Sequence, residues 1–215
     1  MKNIAKRALL LALAALMLLS LVSCAKRGLV INGSELRDKR TRTTYNHASL
    51  SLEPIARGEE VYGSTDKYSF YEIVGQDPLN LLCEEDGTVF VSSKFTLPAP
   101  AQMSFAYLEI CTETTSLTVN KTLTDTALIS AVMAEHLGAP TLRYMGFEPS
   151  LVRKLRFADT SLGLFYTVQF LRYENDVIQL DENGVEVNYG KDFIYDRFEG
   201  RFTKAPAALV AAIDG

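Results

Sequence analysis

Apolar and polar residues alternate with a period of two through most of the chain after residue 45, and this pattern predicts β-strands. The clearest stretch is 164–172, where Leu164, Tyr166, Val168 and Phe170 fall on one face of a strand. Since that face is entirely apolar, we expect it to be buried.

A first hairpin is predicted between residues 79 and 93. If Glu85-Asp86-Gly87 forms a three-residue loop with the glycine at positive φ, apolar residues face each other across the two strands. The expected pairs are Leu81 opposite Val91 and Cys83 opposite Val89.

A second hairpin is predicted around Asn183-Gly184, which is a strong signal for a two-residue turn. Such a turn would again place apolar residues opposite one another. The expected pairs are Leu180 opposite Val187 and Ile178 opposite Tyr189.

A helical pattern interrupts the strands over residues 127–137. Thr124 is the expected N-cap, Gly138 the expected C′ residue and Pro140 the expected stop. Apolar residues cover most of this helix, so we expect other elements to enclose it. A second, short helix is expected over residues 206–213.

This order of elements predicts an α+β fold, with an antiparallel, hairpin-rich sheet, one central covering helix and a short C-terminal helix. The regular strand–helix alternation of a doubly wound nucleotide-binding fold is missing from the pattern. We expect a single domain over residues 45–215. A duplication into two β-units, 45–119 and 120–215, remains an alternative because both begin their hairpins with a similar aromatic strand.

The first 23 residues predict an export signal. Lys2, Lys6 and Arg7 precede a run of 15 uncharged residues, Ala8–Val22, which is shorter than the roughly 20 residues that span a bilayer as a helix.

The run ends in Leu21-Val22-Ser23-Cys24, which resembles the lipobox of bacterial lipoproteins. The resemblance implies a diacylglycerol on the Cys24 sulfur, cleavage after Ser23 and, in many Gram-negative organisms, an N-acyl chain as well. It implies no other cofactor. Two or three acyl chains would anchor the protein stably in a membrane. An ordinary signal peptide or an uncleaved anchor helix is the alternative.

The resemblance also implies a location. We expect an exported protein anchored to the bacterial cell envelope. Ala25 follows the cysteine in place of aspartate, which in a Gram-negative organism indicates the outer membrane.

Residues 24–44 are expected to form the lipidated cysteine and a basic tether with an average reach of about 25 Å. The alternative is that residues 28–31 form an edge strand. Charge is uneven along the chain. Residues 24–57 contain seven basic and three acidic residues, whereas residues 58–215 contain 12 basic and 23 acidic residues. Such an acidic body disfavours binding to nucleic acid.

Residues 45–215 contain few candidates for catalytic or metal-binding side chains. Cys83 and Cys111 are candidates for a disulfide in an oxidising compartment, or else two buried thiols. Neither histidine stands in a metal-ligand or catalytic spacing, and we expect His136 to be packed near the end of its helix. No metal site is predicted.

A group of basic and aromatic residues after the helix is the candidate surface for a partner: Arg143, Tyr144, Arg153, Lys154 and Arg156. Solvated strand ends are the alternative interpretation.

The sequence therefore predicts a non-catalytic, lipid-anchored envelope protein that binds or scaffolds another envelope protein or a cell-wall component. A lipoprotein that binds a lipid or a small apolar ligand is the second hypothesis. An envelope hydrolase that uses distant acids such as Glu72 and Glu109 is the third.

Overall fold

The structure is a computed structural model that describes residues 27–144, 146–181 and 183–215. The lipobox, including Cys24, lies outside the described residues. Eight strands come first in the described chain: β1 Arg27–Asn32, β2 Glu35–Asp38, β3 Thr43–His47, β4 Leu52–Pro54, β5 Arg57–Ser64, β6 Ser69–Ile73, β7 Leu81–Glu84 and β8 Val89–Ser92.

A 3-10 turn, Pro100–Gln102, leads into the second half. The elements that follow are β9 Tyr107–Glu113, β10 Leu117–Leu123, helix α1 Thr126–Gly138, β11 Leu151–Asp159, β12 Leu164–Arg172, β13 Ile178–Leu180, β14 Glu186–Asn188, β15 Asp192–Asp196, β16 Arg201–Lys204 and helix α2 Ala207–Asp214.

Seven strands close into a small barrel in the order β1-β2-β3-β8-β7-β6-β5. Neighbours pair antiparallel except at the closure, where β1 runs parallel to β5 with Gly28 opposite Ser64. Seven buried side chains form the core of the barrel: Leu29, Leu36, Tyr45, Tyr62, Phe70, Leu82 and Phe90.

The expectation of a tether as far as residue 44 is wrong from residue 27 onward. Residues 28–31 are part of a strand, as the alternative held, but β1 is paired on both sides and is not an edge strand. Leu29 and Leu36 point into the barrel core. A small barrel needs few inward side chains from each strand, so two well-placed leucines suffice where a long apolar run is absent.

The second sheet has the order β10-β9-β11-β12-β15-β16, and β4 joins it by pairing with the first half of β12. All its pairings are antiparallel. Over the described residues the fold is therefore mostly β with two helices, which agrees with the α+β prediction. The expectation of one hairpin-rich sheet is wrong, because the first half of the chain closes into a barrel.

The largest core joins the barrel, one face of the second sheet and the helices. It includes Ile73, Leu81 and Val89 from barrel strands, and Leu155 and Tyr166 from the sheet. Helix α1 adds Ile129, Val132 and Met133. As predicted, 164–172 is a strand, and it lies between β11 and β15 with most of its side chains buried.

Helix α1 differs from its prediction at both ends. Asp125, not Thr124, is the N-cap, because its carboxylate accepts the N–H groups of Ala127 and Leu128. Gly138 is the last helical residue, and the cap after it is Ala139 at φ −70°.

The expected enclosure of helix α1 is also wrong. Ala127, Ala131 and Ala134 are exposed, so the helix covers the sheet with one face and leaves the other open. Small alanine side chains make this open face less apolar than their number suggested. No helix in the described residues is long and apolar enough to cross a membrane.

The two predicted hairpins have different outcomes. The first is confirmed: Leu81 faces Val91, Cys83 faces Val89 and Gly87 has φ +92°.

The second hairpin has a different register, with Leu180 opposite Glu186 and Ile178 opposite Asn188. Its loop is longer than the predicted two residues because the Asp181 carboxylate accepts the N–H groups of both Asn183 and Val185.

Candidate functional site

The five residues predicted as a partner surface fall into two settings. The main-chain N–H of Arg143 donates to Gln179 Oε1 and its carbonyl accepts from Gln179 Nε2, and Tyr144 stacks on Tyr195 with ring centroids 4.6 Å apart. Arg153, Lys154 and Arg156 lie on β11, where Arg153 donates to the Val152 carbonyl.

Lys154 and Arg156 belong to an ion-pair network on one face of the second sheet. Lys154 Nζ lies 2.5 Å from Glu53 and 3.1 Å from Glu113. Arg156 bridges Glu53 and Glu109 at 3.3 and 3.0 Å. Since the two cationic side chains are 18% and 14% exposed, their charges are already satisfied within the domain.

Two further observations show that Arg156 and Lys154 are held within the ion-pair network. The Arg156 guanidinium lies 3.7 Å from the centroid of the Phe165 ring. Burial by itself lowers the pKa of Lys154, but the bonds to Glu53 and Glu113 outweigh it and raise that pKa overall. The ring contact and the bonds to Glu53 and Glu113 therefore stabilise the charged forms of Arg156 and Lys154.

An open cavity of about 310 Å³ lies beside this network. Its lining is Glu53, Pro54, Arg57, Glu85, Asp86 and Gly87. Glu53 is held by Lys154 and Arg156, and Arg57 donates to the Glu85 carbonyl and covers the Tyr71 ring. Glu53 and Arg57 on this wall are therefore already engaged within the domain.

The two carboxylates named for a hydrolase lie on different sheets. Glu109 is on β9 and pairs with Arg156, and Glu72 is on barrel strand β6. Within the described part of the chain, no group of three or more histidine, cysteine or acidic side chains is arranged to hold a metal ion.

The two cysteines are free buried thiols, so the structure has the second of the two alternatives and not a disulfide. Cys83 lies on barrel strand β7 and Cys111 on β9 of the other sheet. Burial raises the pKa of Cys83 to about 11 and also raises the pKa of Cys111, which makes both thiols unreactive.

His136 is packed in the core, as the sequence indicated. Its Nδ1 atom lies 2.6 Å from Thr203 Oγ1, and Nε2 has no hydrogen-bond partner among the described residues. Burial, with help from the Arg201 charge, lowers the pKa of His136 to about 4 against the opposing charge of Asp196. The imidazole is therefore neutral at pH 7.

The structure also contains a repeated turn that the sequence reasoning missed. In three hairpins a buried aspartate ends the first strand and a four-residue loop follows: Asp38 in the β2–β3 turn, Asp159 in β11–β12 and Asp196 in β15–β16. In each, one carboxylate oxygen accepts the N–H groups two and three residues later at 2.8–3.3 Å.

The second carboxylate oxygen of each aspartate ties the turn to the core. It accepts the Tyr62 hydroxyl at Asp38, the Ser104 N–H at Asp159 and the Tyr166 hydroxyl at Asp196. Burial opposes ionisation of Asp38, but hydrogen bonds from Arg40, Thr41 and Tyr62 hold its pKa below the usual value.

The last loop residue has positive φ in all three turns, and it differs between them. It is Gly163 at +62°, Gly200 at +67° and Arg42 at +57°. The pattern Asp-x-x-x-Gly is visible in the sequence for the second and third turns and could have identified them. The barrel turn alone among the described residues places a side chain other than glycine at positive φ.

The barrel turn carries three exposed cations, Lys39, Arg40 and Arg42, which we call the basic turn. Within residues 27–144, 146–181 and 183–215, none of the three forms an ion pair. The basic turn is therefore a group of three neighbouring cations that no described residue neutralises and that an external anion can reach.

Comparison with known protein families, characterised proteins and solved structures finds no match to this chain.

Proposed function

We propose that this protein is a lipid-anchored, non-catalytic component of a bacterial cell envelope, and that its folded domain binds or scaffolds another envelope component. The observation that carries the proposal is the lipobox-like sequence Leu21–Cys24 after a basic segment and an apolar run. Acylation of Cys24 would fix the protein to a membrane.

The start of the barrel supports a role close to that membrane. Strand β1 begins at Arg27, three residues after Cys24. Three fully extended residues span at most about 11 Å. An anchored domain therefore stays within that reach of the lipid surface, instead of standing off by the roughly 25 Å of a longer coil.

The interior of the barrel favours scaffolding over the enclosure of an apolar ligand. Four aromatic or leucine side chains of its core, including Tyr45 and Phe70, are completely buried and pack against one another. Small barrels filled in this way act through their outer surface and loops.

The anchor is tested by Cys24→Ser in the full chain, expressed in a bacterium that is fed a labelled fatty acid. We expect the wild type to carry the label and the variant to lose it, because the serine hydroxyl cannot form the thioether. Mass spectrometry of the N-terminal peptide should show a diacylglyceryl cysteine in the wild type.

Cys111→Ser is the matched control, since it removes a thiol that is buried in the sheet. This variant should keep the label. An unmodified thiol at Cys24 with the leader still attached would refute the proposed function. The binding role is tested by crosslinking in intact cells: a partner whose crosslink requires Cys24 would support it, and its absence would count against scaffolding.

A further inference from the structure

We infer that the basic turn, Lys39, Arg40 and Arg42, contacts the anionic lipid headgroups of the membrane that holds the anchor. This inference rests on the proposed function, because acylation of Cys24 brings the turn to that surface. It identifies which part of the domain faces the bilayer.

The position of the turn supports the inference. Leu29 is paired with Asp38, so the antiparallel register between β1 and β2 brings the start of β1 beside the basic turn. The chain thus enters the barrel next to Lys39 and Arg40. Since Cys24 is at most about 11 Å of extended chain from Arg27, an anchored domain keeps this turn near the lipid surface.

Charge orients the domain in the same direction. Residues 58–215 contain 12 basic and 23 acidic residues, so an anionic bilayer repels most of the molecule. The three cations of the basic turn are exposed and form no ion pair with another described residue. Attraction at the turn and repulsion elsewhere favour one orientation, with the turn towards the lipid.

The positive φ of Arg42 indicates that the arginine side chain has a function at this position. The two sister turns place Gly163 and Gly200 at the position where this turn has Arg42, and all three have positive φ. A side chain is disfavoured in that conformation. Strain of this kind is typical of a position that serves a function.

Buried Asp38 makes the turn rigid. Its carboxylate accepts the N–H groups of Arg40 and Thr41 and the hydroxyl of Tyr62. The backbone that carries the cations is therefore fixed to the barrel core, which reduces the entropy lost when they bind.

Trypsin provides a direct test because it cleaves after lysine and arginine. Purified full-length protein, processed in its host, is added to vesicles of phosphatidylcholine alone or of phosphatidylcholine mixed with phosphatidylglycerol. Cleavage at the basic turn and cleavage after Arg197, in the sister turn of the sheet, are followed by mass spectrometry. Both sites are exposed in the free protein.

We expect anionic vesicles to slow cleavage at the basic turn at least tenfold relative to zwitterionic vesicles, and to leave the rate after Arg197 unchanged. Each basic residue near an anionic surface strengthens binding about fivefold, so three together give roughly 100-fold. High salt should abolish the protection. Equal cleavage rates on the two kinds of vesicle would overturn the inference.

A double variant, Lys39→Gln with Arg40→Gln, keeps the cleavage site at Arg42 and should lose most of the protection. The matched control, Lys67→Gln with Lys204→Gln, removes two exposed cations elsewhere and should retain it. Equal protection in both double variants would also contradict the inference.

The outcomes separate this inference from the proposed function. If Cys24 proves unmodified, the anchor fails, and the protein attaches to neither vesicle through lipid. The inference then fails with the anchor, because no membrane holds one. If Cys24 is lipidated and anionic vesicles give the turn no protection, the inference alone fails and the proposed anchor stands.

Discussion

Two groups of cations that look alike in the sequence have opposite environments in the fold. Lys154 and Arg156 on the second sheet are enclosed by Glu53, Glu109 and Glu113. The three cations of the basic turn extend from the barrel without an ion pair in the described chain. Clustering of cations along the sequence therefore does not show whether they are available to a partner. Their availability depends on whether neighbouring strands place acidic side chains against them.

The difference follows from the positions that the two groups occupy in their hairpins. Residues in the middle of a paired strand lie opposite side chains from both neighbouring strands, and Arg156 is directly opposite Glu109. Residues in a loop beyond the last paired position have no cross-strand neighbour, as for the loop between Asp38 and Thr43. Lys154 and Arg156 are thus neutralised within the domain, and the three cations of the basic turn face outward.

The comparison predicts its largest effect for Arg156→Gln. The change leaves Glu109 without an ion-pair partner, leaves Glu53 with Lys154 alone, and removes the contact with the Phe165 ring. We expect the free energy of unfolding to fall by about 3 kcal/mol, since breaking a largely buried ion pair strands its partner charges. Urea unfolding followed by circular dichroism measures it.

Arg40→Gln is the matched control in the basic turn. Its side chain has no partner to strand, so we expect a change within about 0.5 kcal/mol. Arg156→Lys should keep part of the network and lose less stability than Arg156→Gln, which guards against a variant that fails to fold. Similar losses for Arg156→Gln and Arg40→Gln would show that the two environments do not differ as described.

Acid should distinguish the two regions through their histidines. His136 is buried against the second sheet with a pKa lowered to about 4, and His47 lies exposed at the end of barrel strand β3. Between pH 6.5 and pH 4 the unfolded chain binds a proton at residue 136 and the folded chain does not. The contribution of His136 to the free energy of unfolding is thus largest above pH 6.5 and falls as the pH drops.

We expect this proton to reduce the free energy of unfolding by about 2 kcal/mol between pH 6.5 and 4.5. The measurement is urea unfolding at several pH values for the wild type, His136→Asn and His47→Asn. The asparagine amide can replace the bond from Nδ1 to Thr203, so His136→Asn should show a weaker pH dependence. A pH dependence that disappears in His47→Asn instead would assign the effect to the barrel.

The parts of the fold that the sequence predicted are those with local signals. Strand 164–172 was visible because its apolar residues alternate, and the hairpin at Gly87 because its turn and its facing residues agree. The closure of the barrel was not visible, since it joins Gly28 to Ser64 across 36 residues and depends on the curvature of the whole sheet.

The candidate site was harder to predict for the same reason. Lys154 and Arg156 bind Glu53 across about 100 residues of sequence, so their neutralisation could not be read from their neighbours. The turn at Asp196 did carry a local signal, the glycine four residues later. The equivalent barrel turn lacked it because Arg42 replaces that glycine.

The smallest expected effect concerns Arg42, and it links the strained turn to its role. Arg42→Gly should raise the free energy of unfolding by about 1 kcal/mol, because glycine adopts positive φ without a steric penalty. The reverse change in the sister turn, Gly200→Arg, should lower it by a similar amount, since a Cβ at Gly200 meets no neighbouring atom and the backbone alone is strained. Gly163 is unsuitable for this exchange because a Cβ there would lie 3.2 Å from the Val74 carbonyl oxygen.

Both variants are measured by urea unfolding, beside the protection of the basic turn on anionic vesicles. A more stable Arg42→Gly protein that is less protected would mean that the chain retains arginine for its charge at the expense of stability, as happens at functional positions. If Arg42→Gly were less stable than the wild type, the arginine side chain would stabilise the barrel itself, and its positive φ would give no reason to assign it to a lipid surface.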